Sequence, residues 1–491
     1  MLAKFSQRTV SATAPDKKRV PHILCVLPNG KTLPADDEFP GLAVLANMLK
    51  RRAMKFSELG GTPLSGEIEN GAVAAWVAID TTKPVFEQQT ALRKALALLL
   101  QENLDRVAIS VHGPAGFRSH AARLATFAAH VNSATLPVRK KENKHKPLRE
   151  ITLFGATLPN NGAKERAIAD GNTLARRLTM LPPNELSPAQ YRKQIAALAK
   201  EHGWSQDVYD LKKLRKIGAG AFVAVAQGST ADDAAIVHLR YRAKNAKQTW
   251  ALVGKGICFD TGGHNLKPAK YMYGMHEDMN GSAVALGALL AASSLKLPVN
   301  IDCWLAIAQN HIGPNAYKQN DVVTALNGTT IEIVHTDAEG RMVLADTLTL
   351  ASRAKPDLII DYATLTGSMH IALGSRRSGI FANRTEWQSR ALVAGERSGE
   401  RVTAFPLDAD YDVALDSKIA DIKQCTDDGN ADHILAARFL SKFFDDRPWI
   451  HMDLSASSHN GGLGAVASDV TGFGVAWTVE LLEDAIKSPP G

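Results

Sequence analysis

The length, composition and charge of this chain limit the classes of protein to which it can belong. It has 491 residues, 45% hydrophobic and 22% charged, a balance typical of a globular protein with two or three domains. It contains no run of about 18 apolar residues, which excludes a transmembrane helix, and its four scattered cysteines argue against a disulfide framework or zinc knuckle and favour the reducing cytosol.

The formal net charge of +7 is concentrated in one segment. Residues 139–149 hold six basic residues and one acidic residue. A solvated loop between a helix and a strand is the preferred interpretation, and a phosphate-binding patch for nucleic acid is the alternative.

The N-terminal segment is basic and rich in hydroxyl residues, with no acidic residue before Asp16. This pattern faintly resembles an organelle transit peptide, but it lacks the apolar stretch of a secretory signal. A disordered start is therefore the favoured interpretation.

The first third of the chain alternates between strand and helix patterns. Strands are predicted at 22–27, 72–79, 106–111 and 150–154, and helices at 41–56, 86–101 and 120–133. This repeated order predicts a mainly parallel sheet covered by helices. No GxxxxGK[ST] or strand-following GxGxxG pattern accompanies it, so the segment gives no sign of nucleotide binding.

A turn at 160–162 separates this part from the rest of the chain. A helix is predicted over 163–180, and another from the N-cap Ser187 and first-turn Pro188 to about residue 202. Strands are then expected at 208–210, 221–225, 235–241 and 250–253.

Two carboxylates follow an alternating apolar run at 330–334. Asp337 and Glu339 stand two residues apart before a helical pattern at 342–352, and on an extended chain they would share a face. Carboxylates so placed repel one another unless a metal or a shared proton neutralises them.

An earlier stretch adds further charged residues at turns and element ends. Lys255 lies between two glycines that separate two predicted short strands, Asp260 enters a Gly-Gly turn, and Lys267 follows. Asp278 is expected to open a helix at 279–297. Taken singly, these are ordinary turn, helix-dipole and surface residues. Their joint spacing favours a site at the carboxyl edge of an α/β sheet.

These motifs together resemble the M17 leucine aminopeptidase family. The resemblance is carried by His335-Thr336-Asp337-Ala338-Glu339-Gly340-Arg341 and by the segment 252–263, with further agreement at 182–186 and 363–367. It covers about residues 165–485 and implies an α/β protein with two domains. Residues 1–160 would form an N-terminal macro-like α/β domain, and 161–491 a C-terminal α/β/α catalytic domain with a central mixed sheet, in which 161–181 is a connecting helix.

The resemblance also implies a di-metal hydrolytic site. Asp260, Asp337 and Glu339 would bind one divalent ion, and Lys255, Asp260, Asp278 and Glu339 the other. Two such ions can hold a bridging hydroxide and polarise a peptide carbonyl. Carboxylates with one amine suit Mn or Zn among other ions, and a lysine ligand must be neutral, so metal should be lost in acid.

The family assigns the remaining polar residues to the reaction. Lys267 would stay protonated and stabilise the oxyanion, and Arg341 would hold a bicarbonate that relays a proton. The alternative for Arg341 is an ion pair with a nearby carboxylate.

Substrate recognition is assigned by the same resemblance to Met275, Thr364, Leu365 and Gly367. A thioether wall would favour a first residue such as Leu or Met, although Met275 taken alone is equally a core residue. The family further implies peptide substrates, a cytoplasmic location and a homohexamer.

Several positions depart from the family pattern. His335 replaces Asn and is interpreted as structural, Thr261 replaces Ser, and the segments 264–266 and 458–464 differ. Asp432 and His433 stand where small residues usually begin a helix. These departures leave the shape of the substrate loops open.

Three functions follow, in order of preference. The first is a di-metal aminopeptidase. The second is a DNA-binding regulatory protein, which only the basic segment at 139–149 supports. A salt-sensitive mobility shift of a DNA duplex would test it. The third is a metal-dependent hydrolase of another bond, such as a phosphoester.

Overall fold

The computed structural model describes residues 2–9, 21–34, 39–142 and 146–489. Two compact units are formed. The first comprises Met1–Thr173, Glu396–Glu400 and His459–Thr471, and the second comprises Leu174–Gly395, Arg401–Ser458 and Gly472–Gly491. The domain division at residue 160 and the macro-like character of the first unit stay predictions.

The first unit contains a sheet flanked by helices. Its strands are β1 (Lys4–Arg8), β2 (His22–Pro28), β3 (Leu64–Glu67), β4 (Val73–Ile79), β5 (Arg106–Val111) and β6 (Glu150–Phe154), and its helices are α1 (Leu42–Arg51), α2 (Val85–Leu100) and α3 (Ala115–Val131). Among the described residues the strand order is β1-β6-β5-β2-β4-β3, parallel except for β3. The predicted mainly parallel sheet is confirmed, because strands buried on both faces need helices to cover them.

The expectation of a disordered start is wrong for Lys4–Arg8. This segment pairs in parallel with β6, and Leu2 and Ala3 are buried beside it. Its polar, alternating sequence gives little local signal, so the pairing depends on a strand more than 140 residues away, as the contact between Ser6 Oγ and Thr152 Oγ1 at 3.2 Å illustrates. The part of the start at 10–20 lies outside the described residues.

The second unit begins within helix α4. Its elements are α4 (Ala163–Thr179), α5 (Pro188–His202), β7 (Ser205–Asp210), α6 (Leu211–Ile217), α7 (Gly220–Ala226), β8 (Ala235–Tyr241), β9 (Thr249–Asp260), α8 (Ala269–Met272), α9 (Asn280–Ser294), β10 (Asn300–Asn310), β11 (Val322–Thr324), β12 (Thr330–Glu332), α10 (Glu339–Arg353), β13 (Leu358–Ala363), α11 (Gly367–Leu373), β14 (Ser378–Ala382), α12 (Thr385–Ser398), β15 (Val402–Ala404), β16 (Ile422–Lys423), α13 (Asp432–Leu440), β17 (Trp449–Asp453) and α14 (Val475–Lys487). The predicted capping of α5 is confirmed, since the Ser187 side chain accepts a hydrogen bond from the Gln190 amide.

A mixed sheet lies at the centre of this unit, as predicted. Among the described residues its order is β15-β14-β17-β13-β9-β10-β8-β7. The middle strands β17, β13, β9 and β10 run parallel to one another, β8 is antiparallel to β10, and β7 is antiparallel to β8. Helix α9 packs closely over it, because a Cβ at Gly281 would fall 2.1 Å from the carbonyl oxygen of Tyr362.

Two local predictions in this unit are wrong. Residues 221–225 form part of helix α7, not a strand, because a short apolar run does not distinguish a buried helix from a buried strand. The two short strands expected around Lys255 are one continuous strand, β9, in which Gly254 and Gly256 admit neighbouring backbone.

None of the described helices combines the length and hydropathy needed to cross a lipid bilayer.

Candidate metal centre

The parallel strands of the central sheet bring polar residues to one edge. Asp260 ends β9, Asn310 ends β10, Asp453 ends β17, and Thr364 follows β13. Because these strands run in the same direction, their carboxyl ends meet, which is where α/β proteins place their sites.

Three carboxylates meet at this edge. Asp260, Asp337 and Glu339 each place one oxygen within 4.8 Å of the others. The expectation that Asp337 and Glu339 share a face of an extended chain is wrong, since Asp337 lies in a turn and Glu339 is the first residue of α10. The turn into the helix brings the two carboxylates toward Asp260.

Asp278 lies in a 3₁₀ turn, Met275–Met279, that precedes α9, so it does not open a helix at 279–297. It nevertheless joins the cluster through Lys255. The Lys255 Nζ lies 2.8 Å from Asp278 Oδ2 and 2.8 Å from Glu339 Oε1, and it donates to the Thr364 carbonyl at 3.1 Å. Lys255 thus links a strand, a turn and a helix.

Lys267 contacts the other side of the cluster. Its Nζ lies 3.0 Å from Asp260 Oδ2 and 2.5 Å from Asp337 Oδ1. Burial alone lowers the pKa of Lys267, but the carboxylates of Asp260, Glu339 and Asp337 raise it, and the net pKa is above the ordinary value.

The acidic residues show the opposite balance. Burial, with repulsion from neighbouring carboxylates, raises the pKa of Asp278 to about 8 and that of Asp337 to about 7, although a lysine beside each lowers it. The same causes raise the pKa of Glu339. Negative charge is therefore crowded beyond what the two ammonium groups neutralise.

Several carboxylate oxygens of the cluster also lack well-formed hydrogen bonds. Among the described residues, Asp278 Oδ2, Asp337 Oδ1 and both oxygens of Glu339 are buried without a hydrogen-bond partner of good geometry, and all of these except Glu339 Oε2 lie close to a lysine ammonium group. Buried carboxylates ordinarily have partners or bind metals. The four carboxylates and the Lys255 amine therefore fit divalent cations such as Mn or Zn, which take oxygen and nitrogen ligands.

Two hydrogen bonds hold Asp260 in place, one from Asn310, which the sequence did not reveal, and one within the turn that Asp260 was expected to stabilise. Asn310 Nδ2 donates to Asp260 Oδ1 at 2.8 Å and to the Thr336 carbonyl at 3.0 Å. The amide of Gly262 also donates to Asp260 Oδ1, at 2.8 Å. The one sequence signal for Asn310 is a polar residue at the end of a long apolar strand.

Gly340 leaves room for Lys255. A Cβ at Gly340 would fall 2.7 Å from both Cε and Nζ of Lys255. Separations under about 3 Å are shorter than carbon atoms normally approach without a bond. The position of the Lys255 side chain therefore explains why residue 340 of the motif His335 to Arg341 is a glycine.

The predicted site residues line one cavity of 920 Å³, and they are the following: Lys255, Asp260, Lys267, Met275, Asp278, Asp337, Glu339, Arg341, Thr364, Leu365 and Gly367. The sequence did not identify Asp453, which also lines this cavity. Asp453 fixes the segment after β13, because it accepts hydrogen bonds from the Leu365 amide at 3.0 Å and the Thr366 hydroxyl at 2.7 Å. Thr364 in turn donates to Asp278 Oδ1 at 2.7 Å.

Arg341 and His335 both contact neighbouring protein groups. Arg341 Nη2 donates to Asp432 Oδ1 at 2.7 Å and Nη1 donates to the Gln424 carbonyl at 3.1 Å, so the ion pair left open as an alternative is present. His335 Nδ1 accepts from the Asp337 amide at 3.3 Å, a contact that suits a structural role.

Fold and site define a class of protein, an α/β protein with carboxylates and an amine gathered at a sheet edge as in metal-assisted hydrolases. Residues 173–479 match the cytosol aminopeptidase family, catalytic domain, and the chain belongs to this family. It is therefore an aminopeptidase of the leucyl type, a hydrolase.

Individual relatives agree with this membership. The chain is 45% identical over 355 residues, 71% of each chain, to a probable cytosol aminopeptidase of Stutzerimonas stutzeri. It is 40% identical over 319 residues, 64% of this chain and 62% of the other, to one of a Bradyrhizobium species. The solved bottromycin maturation enzyme BotP in complex with Mn superposes with a TM-score of 0.82 and 30% identity over 95% of this chain and all of that one.

Proposed function

We propose that this aminopeptidase removes the first residue of a peptide, preferably Leu or Met, at a site that binds two divalent metal ions. The observation that carries the proposal is the group of Asp260, Asp337 and Glu339, whose oxygens lie within 4.8 Å of one another at the carboxyl edge of the sheet. In this proposal those three residues bind one ion, and Lys255 and Asp278 join Asp260 and Glu339 around the other.

The chemistry of the donors supports metal binding. Divalent ions held by these residues would supply Lewis-acid chemistry, polarising the peptide carbonyl and lowering the pKa of a water molecule. The similar structure of BotP is a complex with Mn, so Mn is a reasonable candidate alongside Zn.

Lys267 supplies positive charge beside the reacting carbonyl. Its ammonium lies 3.0 Å from Asp260 Oδ2, and a fixed cation beside the reacting carbonyl would stabilise an oxyanion. Lys267 therefore acts as the hydrogen-bond donor that stabilises the oxyanion, and Lys255, as a neutral amine, is one of the metal ligands.

The substrate end of the cavity follows the β13–α11 turn. Thr364, Leu365 and Gly367 line it together with Met275. Backbone groups near Thr364 and Leu365 would orient the free amine, and the flexible thioether of Met275 would accommodate a Leu or Met side chain.

The first prediction is a metal requirement. Metal-stripped protein should be inactive on leucine-p-nitroanilide and regain activity with Mn²⁺ or Zn²⁺, because the carboxylates need a cation to act on the substrate. Asp337→Ala should stay inactive in either metal, since one ligand is missing. Release of p-nitroaniline measures both.

Asp416→Ala, which removes an exposed carboxylate elsewhere in the unit, is the matched control and should behave as wild type. Full activity of Asp337→Ala, or of protein treated with a chelator, would contradict the proposed site. If no added metal restores hydrolysis of any aminoacyl substrate on a panel, the proposed reaction is wrong.

The proposed site contains no bicarbonate on Arg341, because the guanidinium already donates to Asp432 and to the Gln424 carbonyl. A cytoplasmic location and a homohexamer, which the family implies, remain part of it. The DNA-binding alternative depends on residues 139–149, of which 143–145 lie outside the described residues.

A further inference from the structure

The Arg341 guanidinium has a carboxylate partner inside the chain. Arg341 Nη2 and Asp432 Oδ1 are 2.7 Å apart, with 3% of the arginine and 24% of the aspartate side chain exposed. Such a short, largely buried contact is a charge-assisted hydrogen bond. Both residues line the cavity that holds the carboxylate cluster.

Asp432 is held there by its backbone. It is the first residue of α13, directly after Ala431, whose φ of 51° lies in the left-handed region that a residue with a side chain seldom adopts. Strained backbone of this kind persists where the surrounding structure fixes it and is frequent at functional sites.

The next residue anchors the same helix end. The His433 amide and the Ser368 Oγ are 2.9 Å apart, and His433 Nδ1 lies 3.0 Å from the same oxygen. Ser368 belongs to α11, which begins at the substrate side of the cavity. The position of Asp432 is thus fixed from two sides.

We infer that Asp432 supplies, from within the chain, the carboxylate that the family obtains from bicarbonate, so that this site takes no bicarbonate. Bicarbonate and a side-chain carboxylate both offer two oxygens that share one negative charge. A guanidinium accommodates such a group through two N–H donors. Here Nη2 is engaged by Asp432 and Nη1 by the Gln424 carbonyl.

A second anion on Arg341 would be unfavourable. Each terminal nitrogen of this guanidinium already donates to a protein group and Nε is buried, so a second anion would have to share the terminal nitrogens with Asp432 and the Gln424 carbonyl. The new anion would also lie beside the charge of Asp432, and like charges at short range repel strongly where water is scarce. The residues present therefore do not fit bicarbonate.

The consequence for turnover rests on the proposed function. Hydrolysis forms a bond between a water oxygen and the carbonyl carbon, breaks the C–N bond, and transfers one water proton to the leaving nitrogen. A carboxylate in the cavity can accept this proton and return it to the amine, and Asp432, which lines the cavity beside Arg341, would serve in this way. One water is consumed and Asp432 is regenerated.

The test compares wild type with Asp432→Ala and Asp432→Asn as metal-loaded full-length proteins in carbonate-free buffer. The thermal midpoint is measured with added sodium bicarbonate, with sodium chloride at matched ionic strength as the reference. Bicarbonate should raise the midpoint of Asp432→Ala, whose Arg341 is unpaired, and leave wild type unchanged. Asp432→Asn retains the shape of the side chain and covers the case in which the alanine variant fails to fold.

Leucine-p-nitroanilide turnover gives the second measurement. Wild type should be indifferent to bicarbonate, and Asp432→Ala should lose about 100-fold in kcat, the usual contribution of a proton-transferring group, and recover part of it with bicarbonate. Asp408→Ala removes an exposed acid outside the lining of the cavity and should match wild type.

A bicarbonate-dependent midpoint or activity in wild type would overturn the inference, as would an Asp432→Ala variant that neither binds bicarbonate nor loses activity. If wild type hydrolyses no aminoacyl substrate, the proposed function fails. The comparison of thermal midpoints would still decide which anion Arg341 binds.

Discussion

At the scale of single residues, Gly340 illustrates how one side chain determines another. It is the second residue of α10, and its missing Cβ is the space through which Lys255 reaches Glu339. No backbone conformation requires this glycine, because it lies within α10 and its φ is not positive. The requirement is steric and concerns the site alone.

Gly340→Ala should therefore lower activity with little change in stability. The added methyl group would displace the Lys255 amine, and a displacement of about 1 Å in a catalytic group costs about 100-fold in rate. Alanine is also the better helix former, so the thermal midpoint should be maintained or slightly raised. Measurements of kcat/KM and thermal midpoint check both parts.

Gly116→Ala is the matched control, because Gly116 is likewise the second residue of a helix, α3, and a Cβ there would meet no atom within 4 Å. It should gain stability without losing activity. Unchanged kcat/KM in Gly340→Ala would show that Lys255 adapts and that its placement is not critical.

At the scale of elements, helix α10 connects the site to the core. Its first turn carries Glu339 and Arg341, and its middle carries the buried Asp346. Asp346 accepts hydrogen bonds from the backbone amides of Phe222 at 2.8 Å and Leu326 at 2.7 Å. One carboxylate thus fixes α7 and the segment after β11 against the helix that positions the site.

Asp346→Ala should lower the free energy of unfolding by about 3 kcal/mol, because two buried amides lose their acceptor. Chemical denaturation at neutral pH measures this change. Asp357→Ala is the control: Asp357 accepts one amide, that of Thr249, at an exposed position and should cost much less. Equal losses in the two variants would contradict a special role for Asp346.

The same residue gives a pH effect of known sign. Burial raises the pKa of Asp346 to about 6 although backbone amides lower it, so the folded state binds its proton more tightly than the unfolded chain. The stability that it contributes is full below the ordinary pKa of 3.8 and is lost as pH rises through about 6. In Asp346→Ala this part of the pH dependence should vanish.

At the scale of the whole molecule, the two units have separate hydrophobic cores, and different ionisable groups make each unit sensitive to pH. In the first unit, burial lowers the pKa of His130 to about 4, and its side chain is fully buried within α3. The second unit carries the carboxylate cluster. Acid should therefore act on the first unit through a histidine.

Acidification from pH 7 to pH 5 should destabilise the first unit by about 2 kcal/mol through His130 alone. Its folded pKa of about 4 lies below the ordinary 6.5, so the unfolded chain binds the proton first. The stability is full above pH 6.5 and falls as pH approaches 4. Denaturation of wild type and His130→Leu at both pH values measures the difference.

His202→Leu, at a partly exposed histidine of the second unit, should keep the wild-type pH dependence. A His130→Leu variant with the same pH dependence as wild type would show that burial of His130 does not oppose its protonation.

The proposed homohexamer is the second prediction at this scale. Light scattering coupled to size-exclusion chromatography should give six times the mass of one chain, independent of metal loading if assembly is structural. Large exposed apolar side chains such as Val413 and Ile419, 75% and 61% exposed, are candidates for burial on assembly. A monomeric mass at assay concentrations would remove this part of the proposal.

The sequence by itself determined the regular elements whose signals are local. The period of the apolar residues identified β2, α2, β5 and β6 nearly to their ends, and the Ser187 cap identified α5, because periodicity and capping depend on neighbours along the chain. It also singled out the charged residues that meet in the cavity, through their joint spacing.

Tertiary structure decided what depends on distant partners. Lys4–Arg8 became a strand through β6, and the apolar run of α7 became a helix whose amide Asp346 caps. Asn310 and Asp432 acquired their roles from Asp260 and Arg341, respectively 50 and 91 residues away in the chain. A side chain's partner is set by packing, and packing is not encoded in the residues beside it.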